Sequence, residues 1–312
     1  MAMTASGPGT FGAIASNGAT VTISGGSLDV TGAPSAGTVN GRAAGAVAFP
    51  NSSPGTGLLA IGGNASITAG GGLQITMPNV GAWAMTGTPG AYAGPASIAL
   101  DGVDITQVIP TGASAYTGGL GLRADGLGSS IKANKTSATM FGDNSSAVFA
   151  TYGATIGLTN SAFETHGNGT AESMPVIDAL GQATDGTPAR ITAANVTATS
   201  YGDYAMGVSS LSGAAVTLNG VNITTYGLGS VGMDAQGYLS FGTAPTTTSI
   251  IGTTSISSRT ETGPQPLPPP KPIPLTACGP RPGPRSISPI LPSAWQGIRP
   301  EASFRIGNPQ PP

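Results

Sequence analysis

The chain has 312 residues, of which 50 are Gly, with only 8% charged residues and a formal net charge of −2. So little charge, balanced between signs, excludes a disordered polyelectrolyte, a salt-bridged helical bundle and a basic nucleic-acid binder, and Gly without a three-residue period excludes collagen. The single Cys, Cys278, leaves residues 1–260 without any means of forming a disulfide, a usage that fits bacterial surface proteins better than eukaryotic secreted ones.

Residues 1–15 show neither a basic leader nor a long apolar core and read as an edge or cap, and no window of the chain has the length and hydropathy of a membrane-spanning helix. Residues 16–62 hold a first repeat, with Val21, Ile23, Gly25 and Leu28, followed by a Pro- and Gly-rich excursion from Ala33 to Gly57. Residues 63–96 read as a looser repeat around Ile67 and Ile75, with Trp83 in a loop-like Gly/Pro setting. From Ser97 to Gly242 the pattern is clearest, and its best copy runs from Ala214 to Gly227. There Val216 and Leu218 alternate with polar residues, Asn219-Gly220 makes a tight corner, Val221 and Ile223 begin a second strand, and Tyr226-Gly227 closes the unit.

Equivalent positions recur along the chain. Val21, Ile98, Ile131, Ile156 and Ile191 correspond to Val216, and Ile105 and Phe163 to Ile223; weaker copies carry Ile67 with Ile75 and Ile251 with Ile256. A further apolar segment follows most copies, as in Leu58–Ile61, Leu120–Leu122, Val148-Phe149, Val176-Ile177, Met206–Val208 and Val231–Met233. Three short period-two segments in a repeat of roughly 25 to 44 residues predict a solenoid of β rather than helical type, because Gly interrupts every segment. The expectation is an all-β, right-handed parallel β-helix of about eight rungs over residues 16–260, with the Val21–Val216 set aligned in one internal column.

At residue 261 the composition changes: 16 of the 27 Pro residues fall in 261–312, starting with PQPLPPPKPIP. This stretch is expected to be a polyproline linker and disordered tail, and a shifted reading frame in a GC-rich gene would produce its Pro/Arg/Gly richness.

The Thr/Gly/Asn-rich rungs such as VTLNGVNITTYG, segments such as GVSSLSGAAVTL and the PQPLPPPKP linker together resemble the passenger region of bacterial autotransporters, the pertactin-like passengers in particular, over residues 16–275. The resemblance implies a β-helix displayed at the bacterial cell surface or outer membrane, acting as an adhesin or virulence factor. Its partners would be host-cell or bacterial surface molecules, protein or glycan, and its only membrane contact a C-terminal barrel. The chain shows no signal peptide, no ten-residue alternating strands after the linker and no Arg-Gly-Asp triplet, so it is expected to be a fragment of an exported protein, a product that lost its leader, or a passenger severed from its barrel.

No catalytic constellation, cofactor motif or metal-ligand set stands out. His166, the only His, falls where Phe141, Tyr201 and Tyr226 fall in other repeats and is expected to be one more planar ring in a corner stack. Asp101 and Asp104 are predicted to face outward; with Asp125 or Asp143 they would give an acidic patch, and Asp178, Asp185 and Arg190 a second cluster, suited to the chemistry of a β-helix polysaccharide lyase or hydrolase. The residues most suited to ligand binding are the aromatics of the excursions near 78–96 and 108–120, namely Trp83, Tyr92 and Tyr116, with Tyr152 and Tyr204 as further exposed rings. Far-UV circular dichroism of the purified protein should show β structure with little helix; a substantial helical signal would end the solenoid reading.

Overall fold

A computed structural model describes residues 1–6, 10–31, 38–39, 42–43, 55–87, 93–109, 118–169, 175–237 and 247–259. Residues Met1–Pro264 form one compact unit, and the Pro-rich tail lies outside the described residues. Among the described residues there is no helix. After β1 (Ala2–Ala5) come β2 (Phe11–Ser16), β3 (Thr20–Ile23) and β4 (Ser27–Val30), then a small antiparallel pair, β5 (Thr38–Val39) and β6 (Arg42–Ala43). The next turns are β7 (Thr56–Ile61), β8 (Ala65–Gly70) and β9 (Gln74–Met77); β10 (Val80–Met85), β11 (Ala96–Asp101) and β12 (Asp104–Gln107); β13 (Leu120–Asp125), β14 (Ser130–Asn134) and β15 (Ser137–Met140). They continue as β16 (Ser146–Thr151), β17 (Thr155–Thr159) and β18 (Ala162–Thr165); β19 (Pro175–Leu180), β20 (Arg190–Ala194) and β21 (Thr197–Ser200). In the last two turns, β22 (Met206–Leu211) and β24 (Val231–Gln236) are each followed by one long strand, β23 (Ala215–Tyr226) and β25 (Ser249–Arg259).

The first strand of every turn joins an 8-stranded parallel sheet, β2-β7-β10-β13-β16-β19-β22-β24. The second and third strands join a 15-stranded sheet, whose two wings are connected because β23 runs through both. This is a solenoid of parallel strands, consistent with a parallel β-helix. At a spacing of about 4.8 Å per turn, the seven intervals of the small sheet give a stack roughly 34 Å long.

Like residues lie over like. Val21, Ile67, Ile98, Ile131, Ile156, Ile191, Val216 and Ile250 are successive register partners in one column. Between Ile67 and Val216 every member of it is at most 2% exposed. Each such side chain contributes roughly 1.5–3 kcal/mol by burial. The final copy is shifted by one residue from the sequence expectation: Ile250 takes the internal place, while Ile251 points outward and is 65% exposed. Register on a period-two element flips the face with every single-residue step, so a weak copy is easily misread by one.

The small sheet carries an internal alanine column, Ala15, Ala60, Ala84, Ala124, Ala150 and Ala179, and beside it a glycine column. Gly57, Gly81 and Gly207 do not have positive φ; a Cβ at Gly57 or Gly81 would sit 2.5 Å from Cγ2 of Ile75 or Ile105, one at Gly207 2.3 Å from Cγ2 of Ile223, and each would also lie 2.5–2.6 Å from the carbonyl oxygen of the next glycine in the column, Gly81, Gly121 or Gly232. The opposing column reads Leu28, Ile75, Ile105, Ala138, Phe163, Ala198, Ile223. Where it shrinks to Ala198, the glycine column grows to Val176, so volume is traded between the two walls of that turn; where it shrinks to Ala138, the column stays at Gly121.

Corners set the other constraint. Gly102, Lys135, Asn160, Asn195 and Gly220 occupy the same place in consecutive turns, with φ of 66°, 48°, 50°, 55° and 62°. Gly and Asn adopt this left-handed geometry at low cost, which is why one or the other stands at four of these five corners, Lys135 being the exception. Gly81→Ala should destabilise the protein by about 1–3 kcal/mol through overpacking against both Ile105 and the Gly121 carbonyl, of which shortening Ile105 relieves only the first. Ile105→Ala in that background should cost about 1 kcal/mol or more less than the sum of the single changes, measured by denaturant unfolding; additive effects would contradict the size exchange.

Candidate functional site

The outer face of the large sheet carries a trough of about 550 Å³ that crosses six consecutive turns. Its central column is Thr68, Ala99, Lys132, Gly157, Thr192 and Thr217, each the register partner of the next. These residues alternate with the buried Ile and Leu columns and therefore face away from the core. The column nearer the corner is Asp101, Asn134, Thr159, Ala194 and Asn219. Its polar members tie adjacent turns together: Asn134 Nδ2 donates to Asp101 Oδ1 at 2.8 Å, and Thr159 Oγ1 and Asn160 Nδ2 donate to Asn134 Oδ1 at 3.0 and 3.2 Å. Only two lining residues are ionisable, Asp101 and Lys132, and their charges cancel. Gly157 forms the lowest point of the floor: a Cβ there would meet nothing nearer than Thr192 Oγ1 at 3.7 Å.

Beyond the far ends of the other wing, Phe141, His166, Tyr201 and Tyr226 form a continuous ring stack, with centroids 5.0, 4.5 and 5.1 Å apart and interplanar angles of 26°, 15° and 2°. His166 therefore has the structural place expected from the repeat. Its Nε2 lies 3.4 Å from Glu164 Oε2, and hydrogen bonding to His166 holds the Glu164 carboxyl below its ordinary range. Next to the stack, Asp143, Asn168 and Asp203 form a ladder in which each side-chain oxygen accepts the backbone N–H of the following turn, at 2.8, 3.0 and 2.7 Å.

Trp83 is not on a loop. It sits within β10, is 2% exposed, and packs on the outward face of the small sheet with Leu59, Ile61, Val80, Met85 and Leu120. Arg123 lies 4.4 Å above the ring centroid. Asp125 holds the group together: Oδ2 accepts from Trp83 Nε1 at 2.9 Å and from Arg123 Nε at 2.7 Å, and Oδ1 from Thr151 Oγ1 at 2.7 Å. A carboxylate so engaged is a structural tie. The Gly and Pro residues around Trp83 suggested a loop, but Gly81 belongs to the small column of the sheet, and alignment of Val80–Met85 with Thr56–Ile61 is the signal that identifies the strand. Tyr92 and Tyr116 lie outside the described residues. Tyr152 and Tyr204 are indeed exposed, at 56% and 53%, on turns where both have positive φ.

The acidic residues do not converge. Asp101 and Asp104 flank one corner of the large sheet, Asp125 is on the small sheet, and Asp143 is in the ladder beside the rings. Asp185 is exposed on a turn whereas Asp178 is buried in β19, and Arg190 opens β20. Among the described residues no three His, Cys, Asp or Glu side chains come together as a metal site would require. No family profile, curated protein or solved structure matches the chain.

Among the described residues Asp178 is the one strongly perturbed acid. It is 4% exposed between Phe149 and Ser209, and its Oδ1 has no hydrogen-bond partner. Burial pushes the carboxyl up to about 7, outweighing the nearby Ser209 hydroxyl, which pulls the other way. The folded protein thus keeps a proton that the unfolded chain releases near 3.8, so stability falls as pH rises between those values and stays low above them. Asp178→Asn should stabilise the protein at pH 8 by on the order of 4 kcal/mol and leave it near wild type at pH 4, read from denaturant unfolding at both values; an equal effect at both would contradict the assignment.

Proposed function

We propose that this chain is the passenger rod of an autotransporter-like surface protein: a right-handed parallel β-helix with a disordered Pro-rich tail, displayed at the bacterial cell surface, that binds host-cell or bacterial surface molecules without chemical turnover. The observation that carries this reading is the long side wall of the stack, a trough over six turns whose only charges are one Asp and one Lys. Repeating, weakly interacting positions along a rod suit multivalent adhesion, in which many small contacts add without new chemistry.

The distribution of acids supports binding over hydrolysis or elimination. Such reactions need an acid and a base, or carboxylates facing a cation, held a few ångströms apart around the scissile bond. Here Asp125 is committed to Trp83, Arg123 and Thr151, and Asp101 and Asp104 are bonded to Asn134 and Ser137 on the next turn.

Full-length protein labelled with a fluorophore should bind saturably to bacterial or epithelial cells. It should release no reducing ends or unsaturated sugars from polysaccharides incubated with it. Cleavage products that vanish in an Asp101→Asn or Asp104→Asn variant would replace this reading with an enzymatic one, and absence of binding to any cell surface would overturn it.

A further inference from the structure

We infer that the trough on the large sheet is the binding face and that its ligand is a linear, uncharged polysaccharide laid along the axis of the stack. The inference rests on the reading of the chain as a binding rod and adds to it the place and the chemistry of the ligand. Three observations select this class.

Shape comes first. The floor follows one column from Thr68 to Thr217, five intervals of about 4.8 Å or roughly 24 Å, which suits an extended polymer better than a compact small molecule. Small side chains, Ala99 and Gly157 above all, let a ligand approach the sheet closely.

Chemistry comes second. The lining is mostly apolar, as the C–H faces of sugar rings are, and its hydroxyls, those of Thr68, Thr192 and Thr217 on the floor column, both donate and accept. They stand at the two ends of the floor, Thr68 at one and Thr192 with Thr217 at the other, with Ala99, Lys132 and Gly157 between them, so that a chain long enough to span the trough meets hydroxyls at both ends. With Asp101 and Lys132 cancelling, the wall has no net field to attract a polyanion such as nucleic acid or a uronate polymer.

Closure of the ladder comes third. An extended peptide recognised through its main chain needs an open sheet edge. Every strand under the trough between β8 and β20 is paired on both sides, so its backbone groups are already used, and recognition must come from side chains.

The test uses Gly157→Tyr in the full chain. Gly157 does not have positive φ and has free space above it, so a Tyr there fills the trough while improving strand propensity. Affinity electrophoresis in gels containing dextran, a galactomannan or polygalacturonate measures binding, and thermal unfolding measures folding. Retardation by at least one neutral polymer, none by polygalacturonate, and binding weakened roughly tenfold or more by Gly157→Tyr at unchanged Tm support the inference. Should Gly157→Tyr lower Tm, Thr192→Tyr on the neighbouring turn gives the same reading. The inference is overturned if no neutral polymer retards the protein, if the polyanion binds as well as the neutral polymers, or if the folded variants bind unchanged. Cell binding that survives in a folded Gly157→Tyr variant removes the trough from the account and leaves the binding rod standing. Loss of cell binding by the wild type as well removes the rod reading itself.

Discussion

Parallel strands stacked at about 4.8 Å force equivalent residues of successive turns into contact, and everything else in this molecule follows from that. A column can be filled well only if its members agree in size and polarity. The Val21–Ile250 column satisfies this with eight β-branched aliphatic residues, and the alanine column of the small sheet does so with short ones. Some departures are met within the same turn: Val176 appears where the opposite wall offers Ala198, and Gly81 where it offers Ile105, whereas Gly121 faces Ala138 and Ala147 shares its turn with Phe163. The same rule applies outside the core. Rings stack on rings from Phe141 to Tyr226, and amides pair with amides or carboxylates from Asp101 to Asn195.

The only His therefore has a structural place. In another fold a lone His beside a Glu would suggest acid–base chemistry. Here His166 fills a position that takes Phe or Tyr in adjacent turns, and Glu164 is bonded to it at the edge of the stack. Asp125 is likewise held, and Asp178 is a buried acid on the small sheet with no cation among its register partners. Chemistry-bearing residues are present but dispersed, and the surface that remains continuous is the near-neutral trough.

Much of this was legible in the sequence because the repeat writes each column several times. Ile156, Ile191 and Val216 could be aligned from period-two alternation and the following Asn-Gly or Asn corner, and the ring stack from the residue preceding each Gly. Legibility failed where one turn departs from the consensus. Around Trp83, glycine required for space was read as glycine required for a bend. In the last turn the weak copy was placed on Ile251 with Ile256; Ile256 holds its register, whereas the first position falls one residue out, on Ile250. The trough was not legible at all. Its lining consists of Thr, Ala, Gly and Asn, residues that carry no motif, and it exists only because registration brings Ala99, Lys132, Gly157 and Thr192 side by side.

Registration is thus the claim on which core, corners and trough all depend, and it is open to a covalent test. In a Cys278→Ser background, Thr192→Cys paired with Thr217→Cys places two thiols on register partners about 4.8 Å apart at the backbone, within disulfide reach. Mild oxidation should close that bond rapidly in the native protein, while Thr192→Cys paired with Thr224→Cys, across the corner on the other wing, should stay reduced. Cross-linking of both pairs at similar rates, or of neither, would contradict the stacked register.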